Sequence, residues 1–263
     1  MGDLRMLLLP IVVVCVGSLQ ITPASAQDKA ELSAHGGGHF GDIADPSQWP
    51  ISSVGTVTVL WHNNGIVQCT GTLVGPKLVL TAAHCLFFGS QMAKPGSVHF
   101  AAGLNRGVAA AHSIAASLEV SRDYDPQLAG RTMGAAGDWA IVTLTDVLTA
   151  QPVPVRALNA EEFRAAAAGN SAMQVGYGRD RRYLPSIVRN CEIGEGPSQT
   201  LFTYRCLLNF GYSGAPIIAE AAGEPAVIGI GSRASLADAA NPLGIACSAT
   251  QFAGRLKELL EPK

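Results

Sequence analysis

The stretch LNFGYSGAPI, residues 208–217, sets Ser213 between two glycines, directly before an apolar run that predicts a β-strand. A serine hydroxyl becomes an effective nucleophile only when a histidine accepts its proton and a carboxylate orients that histidine. Taken alone, a serine among glycines is more typical of a tight turn. Whether Ser213 can be a nucleophile therefore depends on the histidines and carboxylates elsewhere in the chain.

All six histidines precede Ser213 in the sequence: His35, His39, His62, His84, His99 and His112. An α/β-hydrolase places its histidine after the serine and needs a G-x-S-x-G elbow, which Ala215 interrupts. That class of enzyme is excluded, and the order histidine, aspartate, serine remains.

Two stretches supply a candidate base and a candidate carboxylate in that order. His84 lies near the end of the apolar stretch LVLTAAHC, beside Cys85, and Asp138 lies where the glycine-rich turn of GAAGDWAIVTL enters a strand. Individually, a solvated histidine and a turn-capping aspartate are the simpler interpretations. In this order with Ser213, they predict a catalytic triad of His84, Asp138 and Ser213.

Short apolar runs rich in β-branched residues recur along the chain between glycine, proline and asparagine, and they predict an all-β protein. Two helices are expected: residues 159–169, where Asn159 and Glu162 are spaced as a capping box, and the C-terminal TQFAGRLKELLEPK. The proline-containing stretch 148–158 predicts a connector between two halves, residues 51–150 and 151–263. No internal sequence repeat is evident.

The first 26 residues combine Arg5, an apolar run and small residues ending at Ala26, a pattern that predicts a signal peptide. Residues 27–50 then form a leader or pro-segment, and the mature protein is expected to be secreted or periplasmic, with no membrane contact after signal removal. The net charge of -2 and the absence of a basic stripe argue against a nucleic-acid partner.

Five cysteines follow the predicted signal peptide, and thiols in an oxidising compartment tend to pair. We expect Cys69 to pair with Cys85 and Cys191 with Cys206, each closing a loop of roughly 15 residues that contributes about 3 kcal/mol in the chain-entropy model. Cys247 is then free and buried. No spacing is that of a CxxC zinc motif, and the glycine run of HGGGH at residues 35–39 gives its histidines no fixed geometry, so no metal and no cofactor are expected.

The stretches TAAHC, GDWAIVTL and GYSGAP resemble the three active-site motifs of the chymotrypsin-like serine proteases, and the resemblance extends from about Val54 to the end of the chain. AMQVGYGRD resembles the G-[WY]-G strand of that family, and VIGIGSRA resembles the strand that lines its primary specificity pocket. A cysteine shortly before the serine, paired with one about fifteen residues earlier, is similar to the bacterial glutamyl-endopeptidase-like branch.

The resemblance implies two six-stranded antiparallel Greek-key barrels with a C-terminal helix. It implies that Ser213 attacks the peptide carbonyl and forms an acyl-enzyme, while His84 transfers the proton and Asp138 orients His84. The backbone N–H groups of Gly211 and Ser213 would form the oxyanion hole. Ser232 would add a hydrogen bond to Asp138.

The expected substrate pocket includes Leu207, Ser232 and Arg233. It has no aspartate for a basic side chain and no histidine for a glutamate, which favours a neutral, small or aliphatic side chain, although Arg233 could attract an acidic one. Tyr212 replaces an aspartate that pairs with the new amino terminus in the animal relatives, so the oxyanion hole is expected to be held by local packing and by the Cys191–Cys206 disulfide. We expect a monomer acting on protein or peptide substrates; the alternative is an inactive protease-like domain that binds a partner.

Overall fold

The computed structural model describes residues 41–62, 65–206, 208–221, 223–235 and 243–261. The strands among them are β1 (Asp42–Ile43), β2 (Val54–Trp61), β3 (Gly65–Gly75), β4 (Leu78–Thr81), β5 (Phe87–Phe88), β6 (Gln91–Met92), β7 (Val98–Ala102), β8 (Ala111–Val120), β9 (Ala140–Leu144), β10 (Ala172–Gly176), β11 (Ser186–Glu195), β12 (Leu201–Arg205), β13 (Pro216–Ala221), β14 (Glu224–Ser235) and β15 (Leu243–Ser248). The α-helices are α1 (Ala160–Ala168) and α2 (Ala253–Leu260). Short 3₁₀ turns cover Ile51–Ser53, Ala83–Leu86, Pro95–Ser97, Pro126–Leu128, Thr132–Gly134, Arg179–Arg181 and Ala249–Gln251.

The first barrel closes in the order β2-β3-β4-β9-β8-β7, with every neighbouring pair antiparallel. Its strands coincide with apolar runs from which the sequence predicts strands, and one face of each strand must be apolar to fill the barrel. Val57, Leu73, Val79 and Phe100 point into this interior and are almost completely buried. The disulfide between Cys69 and Cys85 belongs to the same core.

The second barrel contains β11-β10-β13-β14-β15-β12 and is closed by pairing between β11 and β12. Strand β1 adds to its β11 edge. Ile193, Phe202, Ile217 and Ile228 fill its interior together with a second disulfide. Both barrels are six-stranded and antiparallel, so the predicted all-β fold is confirmed.

The two barrels share one connection pattern. If the six strands of each are numbered along the chain, leaving the β5–β6 hairpin aside, both barrels close in the order 1-2-3-6-5-4. This is Greek-key connectivity, because strand 3 is followed around the barrel by strand 6 and not by strand 4. The sequence shows no matching repeat, so the duplication is one of topology alone.

A third apolar cluster joins the barrels. It contains Leu80 and Ile141 of the first barrel together with Ile218 and Ile230 of the second. Trp139 also belongs to this cluster, and its ring lies 6.2 Å from that of Phe252, which immediately precedes α2. The residue next to Asp138 is therefore buried between the barrels.

Both predicted helices are present. Asn159 accepts a hydrogen bond from the Glu162 backbone N–H at 3.0 Å, and the Glu162 carboxylate accepts one from the Asn159 N–H at 2.8 Å, which is the predicted capping box. In the C-terminal helix, Phe252 and Leu256 are buried while Leu260 is half exposed. No helix in the described ranges is long and apolar enough to cross a membrane.

Residues 41–53 precede the first barrel and contact the second, although most of them fall in the predicted leader. Asp42 pairs with Ile187 of β11, and the Gly41 carbonyl accepts a hydrogen bond from Arg181 Nη1 at 2.7 Å. Ala44 and Ile51 are buried in a small cluster with Tyr177. The predicted signal peptide, residues 1–26, lies outside the described residues.

Candidate active site

His84 lies in the 3₁₀ turn Ala83–Leu86, which is separated from β4 by the single residue Ala82. The next residue, Cys85, is bonded to Cys69 of β3, as predicted. The turn that carries the imidazole is thus covalently tied to a neighbouring strand of the barrel. The His84 side chain remains 26% exposed, so its ring can be reached from solvent.

Asp138 meets His84 through two contacts. Its Oδ2 atom lies 2.8 Å from His84 Nδ1, and its Oδ1 atom accepts a hydrogen bond from the His84 backbone N–H at 2.9 Å. A carboxylate at Nδ1 favours the tautomer that carries its proton there and leaves Nε2 free as a proton acceptor. The pair therefore has the geometry of a general base with its orienting carboxylate.

The Asp138 carboxylate is completely buried and still favours the ionised form. Burial alone would raise its pKa, but the charge of His84 and the hydrogen bonds from His84 and Ser232 outweigh burial, and the pKa falls below the ordinary 3.8. Ser232 Oγ donates to Oδ2 at 2.5 Å, in agreement with the hydrogen bond that the family resemblance implied. Asp138 thus enters the pair with His84 as an anion.

Two consecutive residues of β14 approach the same carboxylate. Side chains of successive strand residues normally point to opposite faces, but the β14–β15 register shifts between Gly231 and Arg233. At this bulge Ser232 reaches Asp138 directly, and Arg233 Nη2 lies 3.9 Å from Asp138 Oδ2 with only 10% of its side chain exposed. Their expected role in the substrate pocket stays a prediction, and Leu207 lies outside the described residues.

The loop that carries Ser213 is docked on the first barrel beside the His84 turn. The Ser213 carbonyl accepts a hydrogen bond from the Thr70 N–H of β3 at 2.9 Å. A Cβ atom on Gly214 would clash with the Thr70 carbonyl and with Thr81, the residue three places before His84. Gly214 adopts φ +76°, so glycine is required there both for space and for conformation. Ser213 is half-buried.

Among residues 211–215, two amide groups donate no hydrogen bond to the protein: those of Gly211 and Ser213. The neighbouring N–H groups of Tyr212, Gly214 and Ala215 all donate to backbone carbonyls. Gly211 has φ +96°, and a Cβ atom there would lie 2.5 Å from the Tyr177 carbonyl oxygen. The two amides are those that the sequence predicts for an oxyanion hole.

Tyr212 supports this loop from inside the second barrel. Its side chain is nearly completely buried, and a Cβ atom on Gly178 would lie 2.5 Å from its ring, with one on Gly176 at 2.8 Å. Both glycines of the VGYG stretch therefore leave room for Tyr212, a role that sequence reasoning missed. Burial raises the pKa of Tyr212 to about 12, so the phenol is uncharged at neutral pH.

Thr70 is a second residue that sequence reasoning missed. Its hydroxyl donates to the Gly211 carbonyl at 2.8 Å and accepts from the Tyr177 N–H at 3.0 Å. It thus holds the loop of the predicted oxyanion hole from the opposite barrel. The only sequence signal is its position next to a cysteine, which does not indicate such a role.

The remaining cysteines are arranged as predicted. Cys191 and Cys206 form the second disulfide, and Cys247 is free and buried, with its Sγ donating to the Ala136 carbonyl at 3.1 Å. Among the described residues, one group has the composition of a metal site, consisting of Cys69, His84 and Cys85. Its two sulfurs are joined to each other, so neither is a thiolate ligand.

Comparison with known proteins agrees with this geometry. The family model described as "Trypsin-like peptidase domain" matches residues 69–230. A search of curated proteins finds no match. Among solved structures, the chain is similar to "Structure of Glu endopeptidase in complex with MPD", with a TM-score of 0.63, 16% sequence identity, and coverage of 84% of this chain and 97% of that one. The likeness to the Glu endopeptidase structure concerns the fold alone. The match to the family model covers more than half of the chain. The protein therefore belongs to the trypsin-like peptidase family, the serine endopeptidases with the chymotrypsin fold.

Proposed function

We propose that this protein is an exported serine endopeptidase that cleaves peptide bonds through an acyl-enzyme, with Ser213 as nucleophile, His84 as base and Asp138 as the orienting carboxylate. The observation that carries the proposal is the 2.8 Å contact between Asp138 and His84 Nδ1, beside the docked loop of Ser213. The two disulfides support an oxidising compartment as the working site.

The proposed reaction uses the free Nε2 of His84. In the first step Ser213 Oγ attacks the peptide carbonyl and His84 Nε2 accepts the hydroxyl proton. His84 then gives this proton to the leaving amine, which yields the acyl-enzyme. A water molecule, activated by the same nitrogen, releases the second product and regenerates Ser213.

The oxyanion of each tetrahedral intermediate is proposed to accept hydrogen bonds from the N–H groups of Gly211 and Ser213. Both amides lack a protein acceptor, so they need not break a hydrogen bond to bind the oxyanion. The ionised, buried Asp138 stabilises the imidazolium that forms at the same moment. Asp138 can do so over a wide pH range because its pKa is lowered.

We propose that the primary specificity is for a neutral, small or aliphatic side chain. Arg233, the one residue of the expected pocket that could attract an acidic side chain, is nine-tenths buried and lies beside Asp138. A guanidinium already facing a carboxylate is a poor additional binding group for substrate. Cleavage of a peptide library checks this; a dominant preference for aspartate, glutamate, lysine or arginine would contradict it.

The central experiment is labelling with a fluorophosphonate, which reacts quickly only with an activated serine. We expect one adduct, at Ser213, in the folded processed protein. Ser213→Ala and His84→Ala should each abolish both fluorophosphonate labelling and peptide turnover. Asp138→Asn should lower kcat by about ten-thousandfold. Ser198→Ala, at an exposed turn between β11 and β12, is the matched control and should behave as wild type.

The alternative function is a protease-like domain without activity that binds a partner. Absence of an adduct at Ser213, or wild-type turnover by Ser213→Ala, would favour that alternative or a different nucleophile. The intact Asp138–His84 contact and the two free amides favour the enzyme.

A further inference from the structure

Two histidines outside the active site lie side by side on the outer face of the first barrel. His99 is in β7 and His112 in β8, and the register pairs His99 with Ile114 and His112 with Ala101. The two side chains are therefore diagonal neighbours on one face of the sheet. His99 is half-buried and His112 is exposed, while the flanking Phe100 and Ser113 point inward.

The nitrogen atoms of the two rings are close enough to share one ion. His99 Nε2 lies 3.3 Å from His112 Nδ1, with the ring planes inclined by 57°. Two nitrogen ligands at about 2.0–2.1 Å from a tetrahedral zinc ion are about 3.3–3.4 Å apart. The observed separation thus matches the spacing that one ion requires, without movement of either strand.

We propose that His99 and His112 form a binding site for a divalent transition-metal ion, with Zn²⁺ as the reference ion. Imidazole is a good ligand for Zn²⁺, Cu²⁺ and Ni²⁺, and a poor one for Mg²⁺ or Ca²⁺. On binding, the ion replaces the proton shared by the facing nitrogens, and each ring keeps its other N–H for solvent. Water fills the remaining coordination positions, because His112 faces solvent.

Both rings must be neutral to bind one ion, so the affinity of the site is expected to fall as the pH is lowered. In the described residues, no further histidine, cysteine or carboxylate joins the pair in a ligand group. The site is therefore expected to be weaker than a structural zinc site with four protein ligands.

The ion would join β7 to β8, neighbouring strands of the first barrel. Binding to the folded state alone raises the free energy of unfolding in proportion to the logarithm of ion concentration over its dissociation constant. A zinc-dependent rise in the unfolding temperature is thus a second readout, independent of proteolysis.

The experiment titrates ZnCl₂ into the full chain by isothermal calorimetry, in a Ser213→Ala background that prevents self-cleavage and without a polyhistidine tag. We expect one ion per chain, with affinity reduced at least about tenfold by His99→Asn and by His112→Asn. Mg²⁺ should not compete. The unfolding temperature should rise with Zn²⁺ in the parent and rise less in both variants at the same Zn²⁺ concentration.

Matched controls address three of the four other histidines, His35, His39 and His62. His62→Asn, and a paired replacement of His35 and His39, should bind Zn²⁺ like the parent. His99→Asn and His112→Asn, made also in the active protein, should keep its peptidase activity, because neither ring is part of the proposed catalytic site. Absence of saturable binding to the parent would overturn the proposal, as would undiminished binding after His99→Asn and His112→Asn are combined.

Discussion

Activity should not depend on where the amino terminus of the mature protein lies, provided that residues 41–53 remain. In the animal relatives a new terminus pairs with an aspartate before the serine, but here that position is Tyr212. Tyr212 is uncharged at neutral pH and packs against Gly176 and Gly178. Tyr212 itself supplies no counterion for an ammonium group buried beside it. The loop is instead held by packing and by Thr70.

The structure also gives the boundary at which truncation becomes harmful. Gly41 accepts a hydrogen bond from Arg181, Asp42 pairs with Ile187, and Ile51 is buried. Loss of the Ile51 side chain alone should cost about 1.5–3 kcal/mol of the free energy of unfolding. Removal of residues 27–40 should cost none of these contacts.

The assay compares variants that start at Gln27, Gly41 and Val54, the first two also with one extra residue in front. We expect the same kcat/KM and the same unfolding temperature for all four forms that start at Gln27 or Gly41. The Val54 form should unfold at lower temperature. If one added residue destroyed activity while the unfolding temperature stayed constant, a terminus-dependent switch would exist, and the reasoning from Tyr212 would be wrong.

Three further substitutions test the site. Gly178→Ala should lower kcat, because its Cβ would meet the Tyr212 ring at 2.5 Å. The control is Gly254→Ala in α2, where the Cβ meets open space, and it should raise the free energy of unfolding by about 0.5–1 kcal/mol. Asp138 stabilises the folded state through its lowered pKa, and this contribution is complete above 3.8, the pKa in the unfolded chain, and is lost as pH falls through the pKa in the folded protein. The difference in the free energy of unfolding between wild type and Asp138→Asn, measured with urea, should therefore shrink only below about pH 4. A difference that is constant from pH 7 to pH 2 would contradict the lowered pKa. Arg233→Gln removes a cation 3.9 Å from Asp138 and should move the acid limb of the pH dependence of kcat/KM to higher pH. Arg233→Lys, which keeps the charge, should stay close to wild type. If Arg233→Gln and wild type had the same pH dependence, Arg233 would not act on Asp138 and His84.

Features that depend on local pattern were predictable from the sequence. Short apolar runs rich in β-branched residues indicated the strands, and the spacing of Asn159 and Glu162 indicated the helix cap, whereas the two barrels were implied by the family resemblance. The cysteine pairs were predictable because each closes a short loop. In each case the determining residues lie within about sixteen positions of one another.

Features that depend on contacts between distant segments were not predictable. The hydroxyl of Thr70 meets Tyr177 and Gly211, which are 107 and 141 positions away. The bulge that brings Arg233 beside Asp138 appears only in the pairing of β14 with β15. Likewise, no local pattern in the polar stretch around Asp42 indicates that it pairs with β11.

These distant contacts make the two barrels functionally inseparable. The proposed base His84 and its partner Asp138 belong to the first barrel and the proposed nucleophile Ser213 to the second, so neither barrel alone contains the proposed triad. Thr70, which is completely buried in the first barrel, bonds to the Ser213 carbonyl through its N–H and to the Gly211 carbonyl through its hydroxyl. Separation of the barrels would break both bonds at once and withdraw Ser213 from His84. Catalytic competence is therefore a property of the packing between barrels, and it should be lost at the first opening of that interface, before either sheet unfolds.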